Sequence, residues 1–358
     1  MVQSVAAIAV IISLLSSTAS PGASFSLIED PAHPDANLHP RDVSSDGRWV
    51  GGYIGSGPGA RPRAFRFEIS PGKFEYITCP DQEELQSYSL ETIAAGGSSA
   101  LLYCGAEPSY WDFGFVPQPL NAAPGAAVRS MSSDGQTFVG SAPRTPGSNE
   151  SEAFSFRIDT GLVFLGKFPL PATWSRAEYV SQNAAVIAGN AMKLDFGDTQ
   201  LRSAAFIWSP ALGFRELERL PGEKASFVLA MSTNGKHIVA SNEGTTSNRI
   251  YIWREGGALL EITPKTGDGG YVSKISNDGT IALGEGRIDG TNGPVIWRRG
   301  KGWALLQKVA EDEYGLKNAI GNLILRTVYG ASSDGLTISG VANTGPFTQS
   351  QGYILRLF

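Results

Sequence analysis

The sequence of 358 residues has little of what nucleic-acid-binding and membrane-spanning proteins need. Its net charge of −5 leaves no basic excess, so we expect no nucleic-acid partner. No apolar stretch approaches the roughly 18 residues that cross a bilayer, so we expect no membrane span. Only 18% of the residues are charged, and no run of like charges resembles a tail. We expect the protein to act as a monomer.

Cysteine and histidine are scarce. Cys79 and Cys104 are too few for a disulfide framework, and no Cys-x-x-Cys or Cys/His cluster indicates a metal. An exported chain could join the two cysteines in a disulfide, whereas a cytosolic chain would keep them as thiols. His33 and His39 stand in a proline-rich segment whose spacing fits no zinc motif, which favours a linker. His237 is interpreted as a surface or packing residue, and we expect no metal or cofactor.

Residues 1–23 have the pattern of a signal peptide. The apolar run from Ala6 to Leu15 has the length of a signal-peptide core and is too short to span a bilayer. Small residues ending at Ala19 or Ala23 offer cleavage sites. No Lys or Arg precedes the run, so a misassigned start codon or a buried apolar strand is the alternative. We expect an exported protein, whether secreted, periplasmic or at the cell surface.

Turn formers are abundant, and one turn recurs along the chain. Five copies of a Ser-x-Asp-Gly or Ser-x-Asn-Gly turn precede an alternating apolar stretch, and degenerate copies at 93–97 and 179–183 bring the number to seven. Asp-Gly and Asn-Gly between apolar runs indicate hairpins, and we expect the Asp side chains to bond their own turns rather than a ligand. The turn residues are Asp46, Gly47, Asp134, Gly135, Asn234, Gly235, Asp278, Gly279, Asp334 and Gly335.

Each repeat contains about four strand-like stretches, which predicts an all-β, seven-bladed β-propeller of four-stranded antiparallel blades. The last unit lacks an outer strand, and the stretch 24–30 has the pattern of one, so we expect it to close the ring. Helical spacing predicts one short helix near 305–314. A pair of β-sandwiches is the alternative. The predicted blades within the propeller domain 24–358 are 41–79, 88–120, 127–168, 177–220, 227–263, 271–308 and 326–358 plus 24–30.

The repeat resembles that of the bacterial exported HAF-repeat proteins. The resemblance rests on Ser130 to Gly135 followed by Val139-Gly140, then on Ala153 to Phe156, and on the C-terminal segment from Leu305 to Ala342. It covers nearly all of the chain after the predicted signal peptide. The resemblance implies export and a repeat fold, and it brings no catalytic residues.

Two classes of function remain open for such a propeller. The first is a non-catalytic recognition or scaffold module for an extracellular glycan, peptide or envelope component. The second is an exported hydrolase or lyase that acts on a polysaccharide or peptide. Charged groups converging at the mouth of the central channel would favour the enzyme. The inner strands read as poor in such groups, which favours the module.

Loop length predicts where a ligand binds. The first and third hairpins of each blade share one end of the propeller, the tight-turn face, because strand direction alternates. The other end, the long-loop face, receives variable segments at 55–63, 142–152, 191–203 and 284–293. Long loops on a rigid scaffold often bind ligands, although surface loops can also lengthen at little cost in stability and without any function. The candidate binding residues are Arg61, Arg63, Arg144, Lys193, Asp195, Asp198, Arg202, Arg287 and Asp289.

Overall fold

The computed structural model describes residues 22–55, 63–79, 88–105, 107–145, 147–148, 150–168, 172–194, 201–242, 249–265, 268–345 and 349–358. Residues 1–21, which hold nearly all of the predicted signal peptide, lie outside this part of the chain, so the expectation of export stays a prediction. Within the described part, seven antiparallel sheets of four strands form a seven-bladed β-propeller, as predicted.

Strands follow the chain from the inner to the outer edge of each blade. Blade 1 contains β2 (Leu38–Val43), β3 (Trp49–Ile54), β4 (Arg63–Glu68) and β5 (Lys73–Ile77). Blade 2 contains β6 (Tyr88–Ile93), β7 (Ser99–Cys104), β8 (Glu107–Asp112) and β9 (Gln118–Pro119). Blade 3 contains β10 (Ala127–Met131), β11 (Thr137–Pro143), β12 (Ser151–Arg157) and β13 (Gly161–Phe164).

The remaining blades repeat this order. Blade 4 contains β14 (Ala172–Val180), β15 (Ile187–Leu194), β16 (Leu201–Ser209) and β17 (Gly213–Glu216). Blade 5 contains β18 (Ser226–Met231), β19 (His237–Asn242), β20 (Arg249–Arg254) and β21 (Leu260–Glu261). Blade 6 contains β22 (Gly269–Ile275), β23 (Ile281–Ile288), β24 (Thr291–Arg298) and β25 (Gly302–Leu305). Blade 7 contains β26 (Ile324–Ala331), β27 (Thr337–Asn343) and β28 (Gln351–Arg356), and its outer strand is β1 (Ser24–Leu27).

The closing strand β1 pairs antiparallel with β28, from Ser24 opposite Arg356 to Leu27 opposite Tyr353. This pairing confirms that an N-terminal strand completes the last blade. Two short helices link blades 6 and 7, α1 (Leu306–Asp312) and α2 (Lys317–Ile320). The sequence predicted only the first helix, because a single turn between two glycines shows no periodicity. No helix in the described part of the chain is long and apolar enough to cross a membrane.

Two predicted boundaries were placed too late. Blade 1 begins at Leu38 instead of 41, and blade 4 begins at Ala172 instead of 177. Both inner strands contain a β-bulge at the predicted start, where the pairing register shifts. A bulge interrupts the alternation of apolar and polar residues, so the sequence pattern recognises only the part of the strand that follows it.

The predicted long loop at 284–293 is wrong. These residues belong to β23 and β24, which meet in a two-residue turn at Asp289 and Gly290. Both turn residues have positive φ, of 48° and 79°. This is the backbone that an Asp-Gly pair supplies in a type I′ hairpin, whose twist matches that of the flanking strands. A long β-hairpin therefore projects from blade 6 at the long-loop face.

The apolar core lies between neighbouring blades. Leu101 of blade 2 packs with Phe138 and Phe154 of blade 3 in one cluster, and Ile252 of blade 5 packs with Trp297 of blade 6 in another. Each blade therefore stabilises its neighbours, and fully burying one such side chain contributes about 1.5–3 kcal/mol. The ring is rigid enough to hold side chains around one central channel.

Hydrogen bonds between neighbouring turns at the tight-turn face link blades 4, 5, 6, 7, 1, 2 and 3 in that order, and we call them the turn girdle. The backbone N–H groups of Ala95, Gln182, Asn277 and Ser333 donate to the carbonyls of Ser133, Thr233, Ser333 and Ser45, over 2.7–3.0 Å. Gly96 N–H also donates to Asp46 Oδ2 over 3.0 Å, and Asn234 N–H donates to Asn277 Oδ1 over 2.9 Å. The girdle fixes the spacing of the blades at this face.

A disulfide joins Cys79 and Cys104, whose Cα atoms are 5.8 Å apart. Cys79 follows β5, the outer strand of blade 1, and Cys104 ends β7 of blade 2. Both strand ends lie at the long-loop face, because the second and fourth strands of a blade run in the same direction. The alternative left open by the sequence, two free thiols, does not occur.

Candidate functional site

Every inner strand carries a β-bulge at the same height of the propeller. The register shifts once in each of the seven pairs of first and second strands, with a further shift in blades 4 and 7. A bulge leaves one residue unpaired and re-aims its side chain, and here the inner strands surround the channel. The seven unpaired residues, which we call the bulge ring, are Arg41, Glu91, Arg129, Glu178, Leu229, Ser273 and Tyr329.

The bulges have a sequence signature in the second strand. Val128, just before the bulge in blade 3, pairs with Gly140, and a Cβ on Gly140 would lie 2.0 Å from the Ala127 carbonyl oxygen. Gly284 in blade 6 is equally close to the Tyr271 carbonyl, at 1.9 Å. The recurring glycine of the repeat therefore makes room for the backbone of the bulge. Blades 2 and 5 have Leu102 and Ala240 at this position.

Blades 1 to 4 give the ring alternating charge, from Arg41 through Glu91 and Arg129 to Glu178. The Arg41 Nε atom lies 3.8 Å from Glu91 Oε2, and its guanidinium carbon is 5.5 Å from the Tyr329 ring centre of blade 7. Arg41 thus contacts the blades on both sides of its own. Its Nε is buried and has no hydrogen-bond partner within the described residues.

Blades 5 to 7 give the ring no charge. Leu229, Ser273 and Tyr329 occupy the bulges, and two residues earlier stand Phe227 and Tyr271, whose exposed fractions are 36% and 51%. Burial raises the pKa of Tyr271, and the neighbouring Glu285 and Tyr329 raise it further. The channel mouth therefore has one charged half and one half with exposed aromatic rings.

An ion pair crosses the channel nearer to the tight-turn face. Lys274 of blade 6 donates from Nζ to Asp42 Oδ1 of blade 1 over 2.9 Å, and the Ile93 N–H of blade 2 donates to Asp42 Oδ2 over 3.2 Å. Blade 7 lies between these blades and offers Gly330, where a Cβ would lie 2.5 Å from the Val43 nitrogen. A cavity of about 120 Å³ is lined here by residues from all seven blades. This end of the channel is consequently narrow.

A cleft of about 500 Å³ opens beside the bulge ring at the long-loop face, between blades 6 and 7. Its polar lining is Tyr271, Glu285, Arg287, Asn292 and Arg326, and the rest is mostly glycine. Tyr271 and Glu285 are cross-strand partners in blade 6. Burial raises the pKa of the Glu285 carboxyl. The volume lies within the range of small-molecule sites.

The inner strands are poor in charged residues when each is taken alone, as the sequence indicates: six of them contain one or two each, and β18 contains none. Because the seven strands surround one channel, the ring nevertheless brings charged residues of blades 1 to 4 next to one another. The signal that would have found them is the recurring glycine of the second strand, because the bulge residue directly follows the inner-strand partner of that glycine.

The structure separates the loop residues that the sequence proposed as binding residues. Arg287 lines the cleft, and Asp289 forms the hairpin turn beside it, with its N–H bonded to Asp268 Oδ1 over 3.0 Å. Arg63 begins a third strand, 5.6 Å from the Tyr76 ring centre. Arg144 forms a bidentate ion pair with Glu152 and lies over Phe164 of an outer strand. Arg63 and Arg144 therefore belong to the periphery of the propeller, away from the channel.

For the other five proposed binding residues the structure gives less information. Arg202 is half-buried in β16, and Lys193 lies in β15, where its side chain is not described. Arg61, Asp195 and Asp198 fall outside the described residues. Only Arg287 and Asp289 of the proposed set are therefore near the cleft.

The turn aspartates bond their own turns. Ser132 Oγ donates to Asp134 Oδ1, and the Gln136 N–H donates to the same oxygen over 3.0 Å. Asp46, Asp278, Asp334 and Asn234 repeat this arrangement. These carboxylates are occupied by backbone donors, so they serve the hairpins.

The histidines serve packing. His39 stacks on Tyr53 with ring centres 4.9 Å apart, and burial, then Arg41, lowers its pKa. His33 Nδ1 lies 3.1 Å from Asp30 Oδ2, and His237 Nδ1 lies 3.1 Å from the Asn277 carbonyl. Across the described ranges, no three His, Cys, Asp or Glu side chains are grouped to hold a metal ion.

Neither a family model nor a curated protein matches the sequence. Several solved structures share the fold. The β-propeller domain of the Trilobed protease from Pyrococcus furiosus is 11% identical with a TM-score of 0.61, over 89% of this chain and 93% of that domain. Oligogalacturonate lyase from Vibrio parahaemolyticus is 11% identical with a TM-score of 0.60, over 94% and 97%. Acylaminoacyl peptidase from Pyrococcus horikoshii is 11% identical with a TM-score of 0.60, over 92% of this chain and 53% of the peptidase.

Proposed function

We propose that this protein is an exported, non-catalytic recognition module that binds its ligand across the channel mouth at the long-loop face. The observation that carries the proposal is the bulge ring on the inner strands around the channel, where Arg41 contacts Glu91 and Tyr329 of the two neighbouring blades. Ring residues and the adjacent cleft offer charged groups and exposed aromatic rings together. Nothing in the folding of the blades requires charged residues at these positions.

Three observations support export. The disulfide between Cys79 and Cys104 is typical of oxidising compartments. The N-terminal residues have the pattern of a signal peptide, and the repeat resembles that of exported HAF-repeat proteins. The partner is accordingly an extracellular glycan, peptide or envelope component.

The acids of the bulge ring favour binding over catalysis. Glu91 lies near Arg41 and accepts a hydrogen bond from Ser89 Oγ, and Glu178 accepts one from Arg176 Nε. Each of these carboxylates is thus engaged by a donor of the protein itself, whereas a general acid or base must reach the proton that it transfers.

The test begins with a glycan and peptide array screen of the purified exported protein. For any ligand found, charge reversal in the ring, Arg129→Glu, is expected to weaken binding at least tenfold. Arg144→Glu at the periphery of the same face is the matched control and should leave affinity unchanged. Binding that survives Arg129→Glu but is lost with a substitution on the tight-turn face would place the ligand elsewhere and contradict the proposal.

A hydrolase or lyase is the second candidate, and Glu285 is the observation that favours it. Its raised pKa and its position beside Tyr271 in a cleft are the properties of a general acid. Turnover of an array ligand by the wild type, abolished in Glu285→Gln while binding remains, would establish the enzyme. Unchanged ligand after prolonged incubation would exclude it.

A further inference from the structure

Five arginines stand at the long-loop mouth, Arg41, Arg129, Arg176, Arg287 and Arg326, together with five acids, Glu91, Glu178, Glu285, Asp268 and Asp289. The arginines differ in whether an acid neutralises them. Arg41 and Arg176 have acidic neighbours in the ring. Arg287 and Arg326 have no carboxylate partner among the residues that the structure describes, and both line the cleft between blades 6 and 7. This cleft therefore favours an anion.

The cleft also offers a flat surface next to these arginines. Tyr271 exposes about half of its surface, and Gly269, Gly270, Gly286 and Gly293 leave the wall around it without side chains. A ring-shaped group can therefore lie against Tyr271 and approach the backbone. Asn292 and Glu285 supply hydrogen-bonding groups at the same cleft.

We propose that the cleft between blades 6 and 7 binds an acidic oligosaccharide, a chain of hexuronate residues. One sugar ring stacks on Tyr271, its carboxylate is bound by Arg287 and Arg326, and its hydroxyls bond to Asn292 and Glu285. Guanidinium groups match carboxylates in geometry, and exposed aromatic rings accept the C–H face of a sugar. This assignment rests on the proposed function and specifies its ligand.

Glu285 can bond to a sugar hydroxyl in either protonation state, as an acceptor when ionised and as a donor when neutral. Burial raises the pKa of its carboxyl. An acidic peptide also carries carboxylates, but it has no ring with two opposite faces to lie on Tyr271.

The experiment is isothermal titration with a hexuronate tetramer, its methyl ester and tetra-aspartate. The ester keeps every sugar atom but removes the charge, so it is the matched ligand control. We expect the acid to bind at least ten times more tightly than the ester and than tetra-aspartate. Affinity for the acid should fall as salt rises, because exposed charges are screened.

Variants locate the binding. Arg287→Gln and Arg326→Gln should each weaken binding about tenfold, which corresponds to about 1.4 kcal/mol. Tyr271→Ala should also weaken it, and Tyr271→Phe should not, because stacking needs only the ring. Arg299→Gln changes the same charge on the tight-turn side of blade 6 and should have no effect.

The experiment distinguishes failure of the acidic-oligosaccharide assignment from failure of the proposed function. Equal binding of the ester, equal binding of tetra-aspartate, or binding of the acid that ignores all three cleft variants would overturn the acidic-oligosaccharide assignment. So would the absence of any hexuronate binding. Each of these outcomes leaves the recognition module intact if another array ligand depends on Arg129. The recognition module itself fails when ligands bind without dependence on the mouth.

Discussion

At the scale of single residues, glycines of the Asp-Gly turns pack closely against side chains of the preceding blade. Gly135 has a φ of +74°, and a Cβ there would lie 2.0 Å from Ser99 Oγ of blade 2. Gly279 faces His237 of blade 5 in the same way, at 2.5 Å. The Asp-Gly turn that ends an inner strand is therefore also a contact between blades. Its glycine is required both by the backbone conformation and by the neighbouring blade.

These two requirements can be separated by substitution. Gly213 has a similar φ of +67°, but nothing lies within 4 Å of a Cβ there. We expect Gly213→Ala to lower the free energy of unfolding by about 1–2 kcal/mol, the cost of a left-handed conformation. Gly135→Ala should cost about 1–3 kcal/mol more, because Ser99 must also move. Urea unfolding followed by tryptophan fluorescence measures both, and equal losses would show that the contact with blade 2 has no effect.

At the scale of single elements, the closing strand β1 is tied to its surroundings in several ways. The Ile28 N–H donates to the Gly352 carbonyl over 2.8 Å, and Phe25 stacks on Tyr353 with ring centres 5.8 Å apart. The link that follows is fixed by Asp30, whose carboxylate accepts a hydrogen bond from Tyr76 of blade 1 over 2.5 Å. Blade 7 and blade 1 therefore share this segment.

Removing the closing strand should open the ring. A chain that begins at Glu29 lacks β1 and exposes the edge of β28 with its apolar neighbours, so we expect a lower melting temperature and concentration-dependent aggregation. A chain that begins at Gly22 keeps the strand and is the control. Calorimetry and light scattering measure the two effects. Equal melting temperatures and equal solubility of the two chains would show that β1 is dispensable.

The elements that the sequence predicted well are those with a local signal. Asp-Gly and Asn-Gly turns marked the inner hairpins, and the pattern of 24–30 marked the closing strand. For the site, the local signal is the recurring glycine of the second strand, which marks the bulges but does not show which side chains meet. Arg41 and Glu91 are 50 positions apart in the chain, and only the ring brings them together. The hairpin at Asp289-Gly290 did have a local signal, but the length of the surrounding segment was interpreted as a loop.

At the scale of the whole molecule, the two faces hold the blades together differently. The turn girdle joins neighbouring blades around the tight-turn face. At the long-loop face the disulfide joins blades 1 and 2, close to Trp49 and Trp111 in the core between them. The long-loop end of the propeller thus has a covalent link between two blades, whereas the tight-turn end has hydrogen bonds between blades.

Breaking this link should weaken the protein. A disulfide that closes a loop of 25 residues stabilises the folded state by about 3 kcal/mol, mainly by restricting the unfolded chain. We expect reduction to lower the free energy of unfolding by this amount in urea titrations. The Cys79→Ala/Cys104→Ala double variant should have the lower stability already and should not respond to reductant. A wild type that is equally stable with and without reductant would contradict the expectation.

The turn girdle also sets how fast parts of the backbone exchange hydrogen with solvent. The amides of Ala95, Gln182, Asn277 and Ser333 lie in turns, where amides usually exchange within seconds, yet each is bonded to another blade. Releasing one of them requires two blades to separate, so these four amides should exchange on the time scale of global unfolding. Turn amides without an inter-blade bond, such as Gly257, should exchange far sooner. Deuterium uptake followed residue by residue should then show the slowest amide exchange at these four positions of the tight-turn face.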